Sequence, residues 1–199
     1  MTATAFLPGP VAEPSPETLA MYQNDVNELG QVMNITRVWA HQTAAHEALF
    51  GLLAQCAEAA NLDVRRKGIL VLATASTLGD SYCSLAWGRK LGLEADPNLA
   101  AGVIEGLDDG LTESERALAN WARKVARDAN GTSEGDVQEL KEAGFTDAEV
   151  VAITVFVALR LAFSTVNDAL GARPDALFRA AASAEVLAAV DYGRPIAED

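Results

Sequence analysis

Apolar residues recur every three or four positions along most of the chain, which is the period of one face of an α-helix. The pattern predicts an all-α domain of about eight helices, without solenoid-like repeats. One predicted helix covers about 35–60, with a break near His41, and others cover 63–78, 81–91, 147–170 and 175–190. The segment 63–78 is apolar on all sides, so we expect it at the centre of the domain.

Capping residues indicate where several helices begin. Ser15 followed by Pro16 is a helix start, because proline suits the first helical position. Three further starts have the spacing of a capping box, in which a hydroxyl and a carboxylate each bond the first turn: Thr112 with Glu115, Ser133 with Asp136, and Thr146 with Glu149. Residues 1–14 are rich in proline and predict a flexible arm, 15–191 form a single domain, and 192–199 form a polar tail.

Charge and composition narrow the class of protein. The chain has 28 acidic and 15 basic residues, and its net charge of −13 argues against nucleic acid or an anionic membrane as a partner. The longest apolar run, 150–159, ends at Arg160 and suits a buried helix better than a membrane span. The N-terminus has no secretory pattern, and two cysteines are too few for a disulfide framework. We therefore expect a cytoplasmic protein.

The junction between two helices within 67–93 is where we expect chemistry. One apolar helix ends at Gly79, and the next begins with Asp80, Ser81, Tyr82 and Cys83. A helix N-terminus leaves N–H groups unpaired and has a partial positive charge. A carboxylate or thiol at this position is therefore well placed to bind or react.

Asp80 has two compatible interpretations. It shares one helix face with Cys83 and Trp87, at the positive end of the helix. It either caps the helix or acts as a general base or hydrogen-bond acceptor at the floor of a pocket, beside an aromatic wall of Tyr82 and Trp87.

Cys83 is predicted to be a packing residue or a nucleophile, depending on its surroundings. A helix N-terminus stabilises a thiolate by only about 0.3–1 kcal/mol, and Asp80 opposes ionisation. Cys83 is then a poor nucleophile unless tertiary contacts add a cation such as Arg89 or Arg160. Cys56 lies on an apolar helix face and is interpreted as a core residue.

Two histidines and one arginine complete the candidates. His41 and His46 are five residues apart, so they do not form a metal pair on one helix, and no other cluster has metal-ligand spacing. His46 is interpreted as a core residue, whereas His41, near the helix break, is a candidate acid or base in the pocket. Arg160 ends the apolar run, so it either forms an internal or subunit-interface salt bridge or anchors a substrate carboxylate.

Two segments in the second half carry a family resemblance: LTESERALANWARKV, and EGDVQELKEAGFTDAEVVAITVFVALRLAFSTVNDALG. They resemble the AhpD-like proteins, the alkylhydroperoxidase D and carboxymuconolactone decarboxylase superfamily, and in particular its peroxidase-related branch. The resemblance covers roughly residues 21–173. It implies an all-α fold, assembly into dimers, trimers or hexamers, and an active site at the junction described above.

The resemblance also implies that most of the family's reactive groups are replaced. Peroxidase members carry a glutamate, eleven residues, and then Cys-x-x-Cys-x-x-x-His. With the second cysteine at Cys83, Asp80 occupies the place of the first cysteine, Trp87 that of the histidine and Gly68 that of the glutamate. A dithiol peroxidase needs a neighbouring thiol to resolve its sulfenic acid, so we expect this reaction to be lost.

Three functional hypotheses follow. The first is an enzyme without metal or organic cofactor that performs acid/base chemistry on a small organic compound. It would use Asp80 with His41 or Tyr82 as catalytic residues and Trp87, Arg160 and Ser81 for binding. The second is a single-cysteine hydroperoxide reductase that uses Cys83, and the third is a non-catalytic binding or scaffold protein. In each case we expect a homo-oligomer.

Overall fold

The structure is a computed structural model that describes residues 5–7 and 13–198. Among these residues there is no β-strand, so the predicted all-α fold class is confirmed. Short 3-10 turns lie at Ala40–Gln42 and Ala129–Gly131. The α-helices are α1 (Pro16–Leu29), α2 (Asn34–Trp39), α3 (Thr43–Ala59), α4 (Val64–Leu78), α5 (Ser81–Glu94), α6 (Pro97–Glu105), α7 (Glu113–Asp128), α8 (Glu134–Glu142), α9 (Asp147–Ala169), α10 (Phe178–Ala181) and α11 (Ala184–Ala189).

Helix α4 is the centre of the domain, as its apolar sequence predicts. Residues 68–75 are all buried, and the helix packs against α5, α6, α7 and α9. A helix that is apolar on every face is stable only where other helices surround it. This position fixes the C-terminal end of α4, and with it the start of α5, deep inside the protein.

The predicted helix starts are confirmed. Each of the three capping boxes is formed in full at the start of α7, α8 and α9. The Ser15 side chain caps α1, with Pro16 in the first turn. Such caps typically stabilise a helix by about 1 kcal/mol, so the local sequence sets these boundaries directly.

The end of the chain departs from the sequence prediction. The single helix expected over 175–190 is wrong, because it is divided into α10 and α11. Ala182 has extended backbone angles and stops α10, and the Ser183 side chain accepts a hydrogen bond from the Val186 N–H to start α11. Asp175 does not start a helix here, because its carboxylate accepts hydrogen bonds from the backbone and side chains of distant residues.

Helix α9 has the composition of a membrane span but the contacts of a core helix. It is 23 residues long. Of the helices that the structure describes, α9 alone is long and apolar enough to cross a membrane. It packs against α3, α4, α7 and α8, and Ile153 and Val157 are fully buried. Its apolar character follows from this central position.

Phe6 and Arg194 meet near the C-terminal end of α9, where the Arg194 guanidinium carbon lies 4.7 Å from the centre of the Phe6 ring. The Phe6 N–H donates to the Leu170 carbonyl oxygen at 2.9 Å. The rest of the predicted arm, residues 1–4 and 8–12, lies outside the described residues. Residues 191–197, which we call the C-terminal strap, do not extend away from the domain but cross the beginning of α5.

Candidate active site at the start of α5

Asp80 is the N-cap of α5 and is fully buried. Gly79, with φ at +74°, ends α4 and turns the chain so that α5 starts at once. One carboxylate oxygen of Asp80, Oδ1, accepts a hydrogen bond from the Cys83 N–H at 2.9 Å. The other, Oδ2, is buried and has no hydrogen-bond partner in the described part of the chain. The carboxylate therefore combines a capping oxygen with one that is free to accept a proton or a hydrogen bond.

Cys83 lies in the first turn of α5 and is also buried. Its Sγ accepts a hydrogen bond from Arg160 Nη2 at 3.2 Å, and Ser164 Oγ lies 3.9 Å away. Burial raises the pKa of the Cys83 thiol well above its ordinary value, and the nearby Asp80 carboxylate raises it further. Arg160 opposes this shift but does not reverse it, so Cys83 is a neutral thiol at neutral pH.

Arg160 brings a positive charge into the interior from α9. Its side chain is 4% exposed, and its guanidinium carbon lies 4.9 Å from the centre of the Phe163 ring. No carboxylate lies within salt-bridge distance of it in residues 13–198, and its Nε is buried without a hydrogen-bond partner. A buried guanidinium without a carboxylate partner is expensive to maintain, which is consistent with a site that receives an anion.

Helix α9 continues this polar stripe one and two turns further on. Ser164 and Asn167 are buried, and Asn167 Oδ1 accepts a hydrogen bond from Trp39 Nε1 at 2.9 Å. Asn167 Nδ2 is buried and has no hydrogen-bond partner within 5–7 and 13–198. Trp39 stacks on Phe163 at 5.2 Å, and His46 meets the edge of the same cluster. Sequence reasoning did not place Trp39 and Phe163 in the site, because their local sequence carries no signal that they meet.

The remaining predicted site residues have other contacts. The Tyr82 hydroxyl donates to Asp175 Oδ2 at 2.5 Å, and the Ser81 hydroxyl donates to the Arg194 carbonyl oxygen at 2.8 Å. Trp87 is half-buried, with the ammonium group of Lys90 4.8 Å from its ring centre, and His41 lies on the exposed 3-10 turn. The structure thus brings Asp80, Cys83 and Arg160 together and does not place His41 with them.

No group of three or more His, Cys, Asp or Glu side chains that could hold a metal ion occurs in the part of the chain that the structure describes. His46 is half-buried against aromatic rings, and this burial lowers its pKa. Its contacts agree with the interpretation of His46 as a core histidine.

Comparison with solved structures identifies the fold. A peroxidase-related protein from Ralstonia eutropha JMP134, described as an alkylhydroperoxidase AhpD core, matches with a TM-score of 0.76 and 23% identity over 89% of this chain and 96% of that one. A peroxidase-related protein from Silicibacter sp. TM1040 matches with a TM-score of 0.76 and 22% identity over 88% of this chain and 94% of that one. The chain has the AhpD-like fold. The resemblance found in the sequence is confirmed at this level.

A third structure with the AhpD-like fold has a different described activity. The debrominase Bmp8 matches with a TM-score of 0.72 and 16% identity over 96% of this chain and 99% of that one. A cysteine-to-alanine variant of Bmp8, in complex with 2,3,4-tribromopyrrole, matches with a TM-score of 0.70. No family model and no curated protein matches this chain.

In this AhpD-like domain the C-terminal strap closes one side of the site. The Tyr192 hydroxyl donates to Ser84 Oγ at 2.8 Å, and Ser84 in turn donates to the Asp80 carbonyl oxygen at 2.7 Å. Arg194 Nη2 donates to the Asp168 carbonyl oxygen at 3.0 Å. Burial and the charge of Asp80 raise the pKa of the Asp168 carboxyl to about 6. Hydrogen bonds therefore connect the strap to the backbone of Asp80, through Ser84, and directly to the backbone of Asp168.

Proposed function

We propose that this AhpD-like protein is a cofactor-independent enzyme that transfers a proton from a small anionic organic substrate to Asp80. The observation that carries the proposal is the Asp80 Oδ2 atom, which is fully buried and has no hydrogen-bond partner among the described residues. An unsatisfied buried acceptor typically costs about 1–3 kcal/mol. Because the rest of the fold has to offset this cost, an unsatisfied buried carboxylate oxygen is a candidate for a functional group.

Arg160 supplies the complementary charge. It contacts Cys83, three residues after Asp80. Its Nε is buried and has no hydrogen-bond partner in the part of the chain that the structure describes. A substrate carboxylate or enolate at the guanidinium would have its negative charge balanced in a low-dielectric environment. In the proposed step a substrate C–H or O–H bond breaks, the proton goes to Asp80 Oδ2, and the electron pair stays on the substrate beside Arg160.

Loss of dithiol peroxidase chemistry is part of the proposal. Cys83 and Cys56 are both free cysteines, and Cys56 lies on α3 rather than on α5. Burial raises the pKa of both thiols, which disfavours thiolate formation. These features support acid/base chemistry over peroxide reduction by paired thiols.

Deuterium exchange into a carbon acid tests the proposed step without knowledge of the natural substrate. Malonate and acetoacetate, incubated with the protein in D2O and followed by NMR, should exchange C–H hydrogens faster than in buffer alone. We expect Asp80→Asn to reduce this catalysis by at least about a hundredfold. The surface variant Asp109→Asn is the control for a general loss of charge. If the wild type does not accelerate exchange of either probe, or if Asp80→Asn matches it, the acid/base proposal is wrong.

Binding separates this proposal from a non-catalytic protein with a relict pocket. We expect the same acids to raise the thermal midpoint of the wild type and of Asp80→Asn but not of Arg160→Met. Binding that depends on Arg160, without any exchange that depends on Asp80, would favour the scaffold or binding hypothesis.

Single-cysteine thiol chemistry is the second candidate, because Arg160 Nη2 lies 3.2 Å from Cys83 Sγ. The complex of the debrominase cysteine variant with 2,3,4-tribromopyrrole supports this candidate, because it joins a cysteine substitution with a small-molecule ligand in a protein of the same fold. In this reaction a hydroperoxide would transfer one oxygen to sulfur and leave as an alcohol. Two molecules of an external thiol would then reduce the sulfenic acid, releasing water and a disulfide.

Hydroperoxide consumption with excess external thiol tests this candidate, with Cys56→Ser as the matched control. Activity that Cys83→Ser abolishes and Cys56→Ser retains would establish it, and activity unchanged by Cys83→Ser would remove it. The double substitution Asp80→Cys with Trp87→His should raise peroxidase activity above that of the wild type if the sequence correspondence with the peroxidases is right.

We also propose that the chain is a homo-oligomer through the outer faces of α3 and α9. These helices pack side by side, and Leu52, Val151 and Val155 on them are 47%, 63% and 40% exposed. An exposed apolar patch of this kind is typical of an interface between subunits. Light scattering of the wild type and of Val151→Glu should show a larger mass for the wild type. The cytoplasmic location stays a prediction.

A further inference from the structure

Asp80 and Cys83 are almost completely buried, so a ligand reaches them only if part of the protein moves. The C-terminal strap, residues 191–197, is the segment without helical structure that lies directly over the start of α5. Between the strap and the helices beneath it is a cleft of about 270 Å³, lined on the helix side by Leu85, Leu187 and Val190. The cleft separates the strap from these three side chains, although Tyr192 itself packs against the core.

The two halves of the strap are held differently. At the distal end, Arg173 donates to the Pro195 and Ile196 carbonyl oxygens, Arg179 donates to those of Ile196 and Ala197, and the Ala197 N–H donates to Pro174. At the near end, over the site, three hydrogen bonds involve residues 191–194: Tyr192 to Ser84, Ser81 to the Arg194 carbonyl, and Arg194 to Asp168.

Gly193 allows the near half to lie flat on the site. Its φ is +71°, and a Cβ at this position would overlap the Gly79 carbonyl oxygen and crowd the Ser81 side chain. Any larger residue at 193 must therefore displace the strap from the turn that carries Asp80. The closed position depends on a single glycine that meets the backbone of the site.

We propose that the strap is a hinged cover: residues 191–194 lift away from the start of α5 to admit the substrate, while Arg173 and Arg179 keep residues 195–197 attached. If each of the three near-end hydrogen bonds favours the closed form by about fivefold, these bonds alone would leave roughly one molecule in a hundred open. The contact of Arg194 with the Phe6 ring and the packing of Tyr192 lower that fraction further. The cover rests on the proposed function, since it controls access to the same site. The experiment below measures access rather than turnover, so the cover and the acid/base reaction can be disproved separately.

The alternative entrance is the aromatic cluster on the other side of Cys83. Phe50 is 39% exposed and contacts both His46 and Phe163, and Phe163 in turn lies against Arg160. Access through this wall would leave the strap as a fixed part of the fold. The two routes predict different effects of substitution.

Alkylation of Cys83 by N-ethylmaleimide under native conditions, measured by peptide mass spectrometry, reports access, and Cys56 in the same molecule is the internal reference. We expect Gly193→Ala to accelerate alkylation of Cys83 by at least about tenfold and Tyr192→Phe to accelerate it by about fivefold. Gly144→Ala is the matched control, because Gly144 also has a positive φ, of +98°, but open space around it. It should leave the rate at Cys83 unchanged.

Tyr192→Phe removes one oxygen atom and keeps the test decisive if Gly193→Ala does not fold. In the wild type, alkylation of Cys83 should depend much less on urea than global unfolding does, since opening exposes little surface. The proposal is overturned if neither strap variant accelerates alkylation, if Phe50→Ala alone does, or if the urea dependence at Cys83 equals that of global unfolding.

Discussion

Substitution of Asp80 separates the two roles of its carboxylate. Oδ1 caps α5 by accepting the Cys83 N–H, and an asparagine keeps this oxygen, whereas an alanine does not. Loss of an N-cap typically costs about 1–2 kcal/mol. We therefore expect Asp80→Ala to lower the free energy of unfolding by at least about 1 kcal/mol more than Asp80→Asn does. Urea denaturation followed by circular dichroism measures the difference.

The same pair of variants changes the ionisation of Cys83. Besides burial, the negative charge of Asp80 raises the pKa of this thiol, so its removal lowers that pKa and leaves Arg160 as the nearby charge. After burial, the charge of Asp80 is the largest of the effects that raise the pKa of the Cys83 thiol. The thiolate should therefore appear at lower pH in Asp80→Asn than in the wild type.

A pH titration of the 13Cβ chemical shifts of the two cysteines in the folded protein measures this shift, with Cys56 as the reference thiol. The midpoint for Cys83 should move down in both Asp80 variants, while the midpoint for Cys56 stays in place. An unchanged Cys83 midpoint would show that the carboxylate does not act on the thiol. If Asp80→Asn and Asp80→Ala destabilise the protein equally, Oδ1 and Oδ2 of Asp80 do not have separate roles.

Three further predictions concern stability, measured by urea denaturation at several pH values. Although burial raises the pKa of Glu115, its hydrogen bonds with Arg65 outweigh this and lower it, so its stabilisation is lost as the pH falls through that lowered pKa. In Glu115→Gln the free energy of unfolding should therefore decrease less as the pH falls. The pKa of Asp168 is raised to about 6, so stability falls as the pH rises towards that value. Asp168→Asn should add about 1 kcal/mol above neutral pH, after allowance for solvent screening, and nothing in acid. Trp39→Phe leaves the buried Asn167 amide without its donor and should cost about 2 kcal/mol. A cost near zero would mean that water replaces the indole.

The parts of the site that lie close together in sequence were predictable. Asp80 and Cys83 are three residues apart, and the helix start that joins them is determined by Gly79 and the capping carboxylate. Arg160 could be predicted as a site residue because a charged side chain at the end of an apolar run needs a partner. The capping boxes were predictable for the same reason, since both of their residues lie within one helical turn.

The parts that depend on distant segments were not predictable from local patterns. Tyr82 directs its hydroxyl to Asp175, 93 positions away, and Trp39 reaches Asn167 across 128 positions. Helical periodicity indicates which face is buried, but it does not say which helix the face will meet. The strap was interpreted as a polar tail because its contacts are mainly with backbone carbonyl oxygens, which are present in every sequence.

Gly68 determines how closely α4 and α5 approach each other. A Cβ at this position would lie 3.2 Å from two carbon atoms of the Leu91 side chain, in the contact between these two helices. Any larger side chain at 68 therefore requires Leu91 to shift. The sequence correspondence places the glutamate of the peroxidases at this position, so an attempt to engineer the full peroxidase set into this chain must repack Leu91 as well as exchange reactive groups.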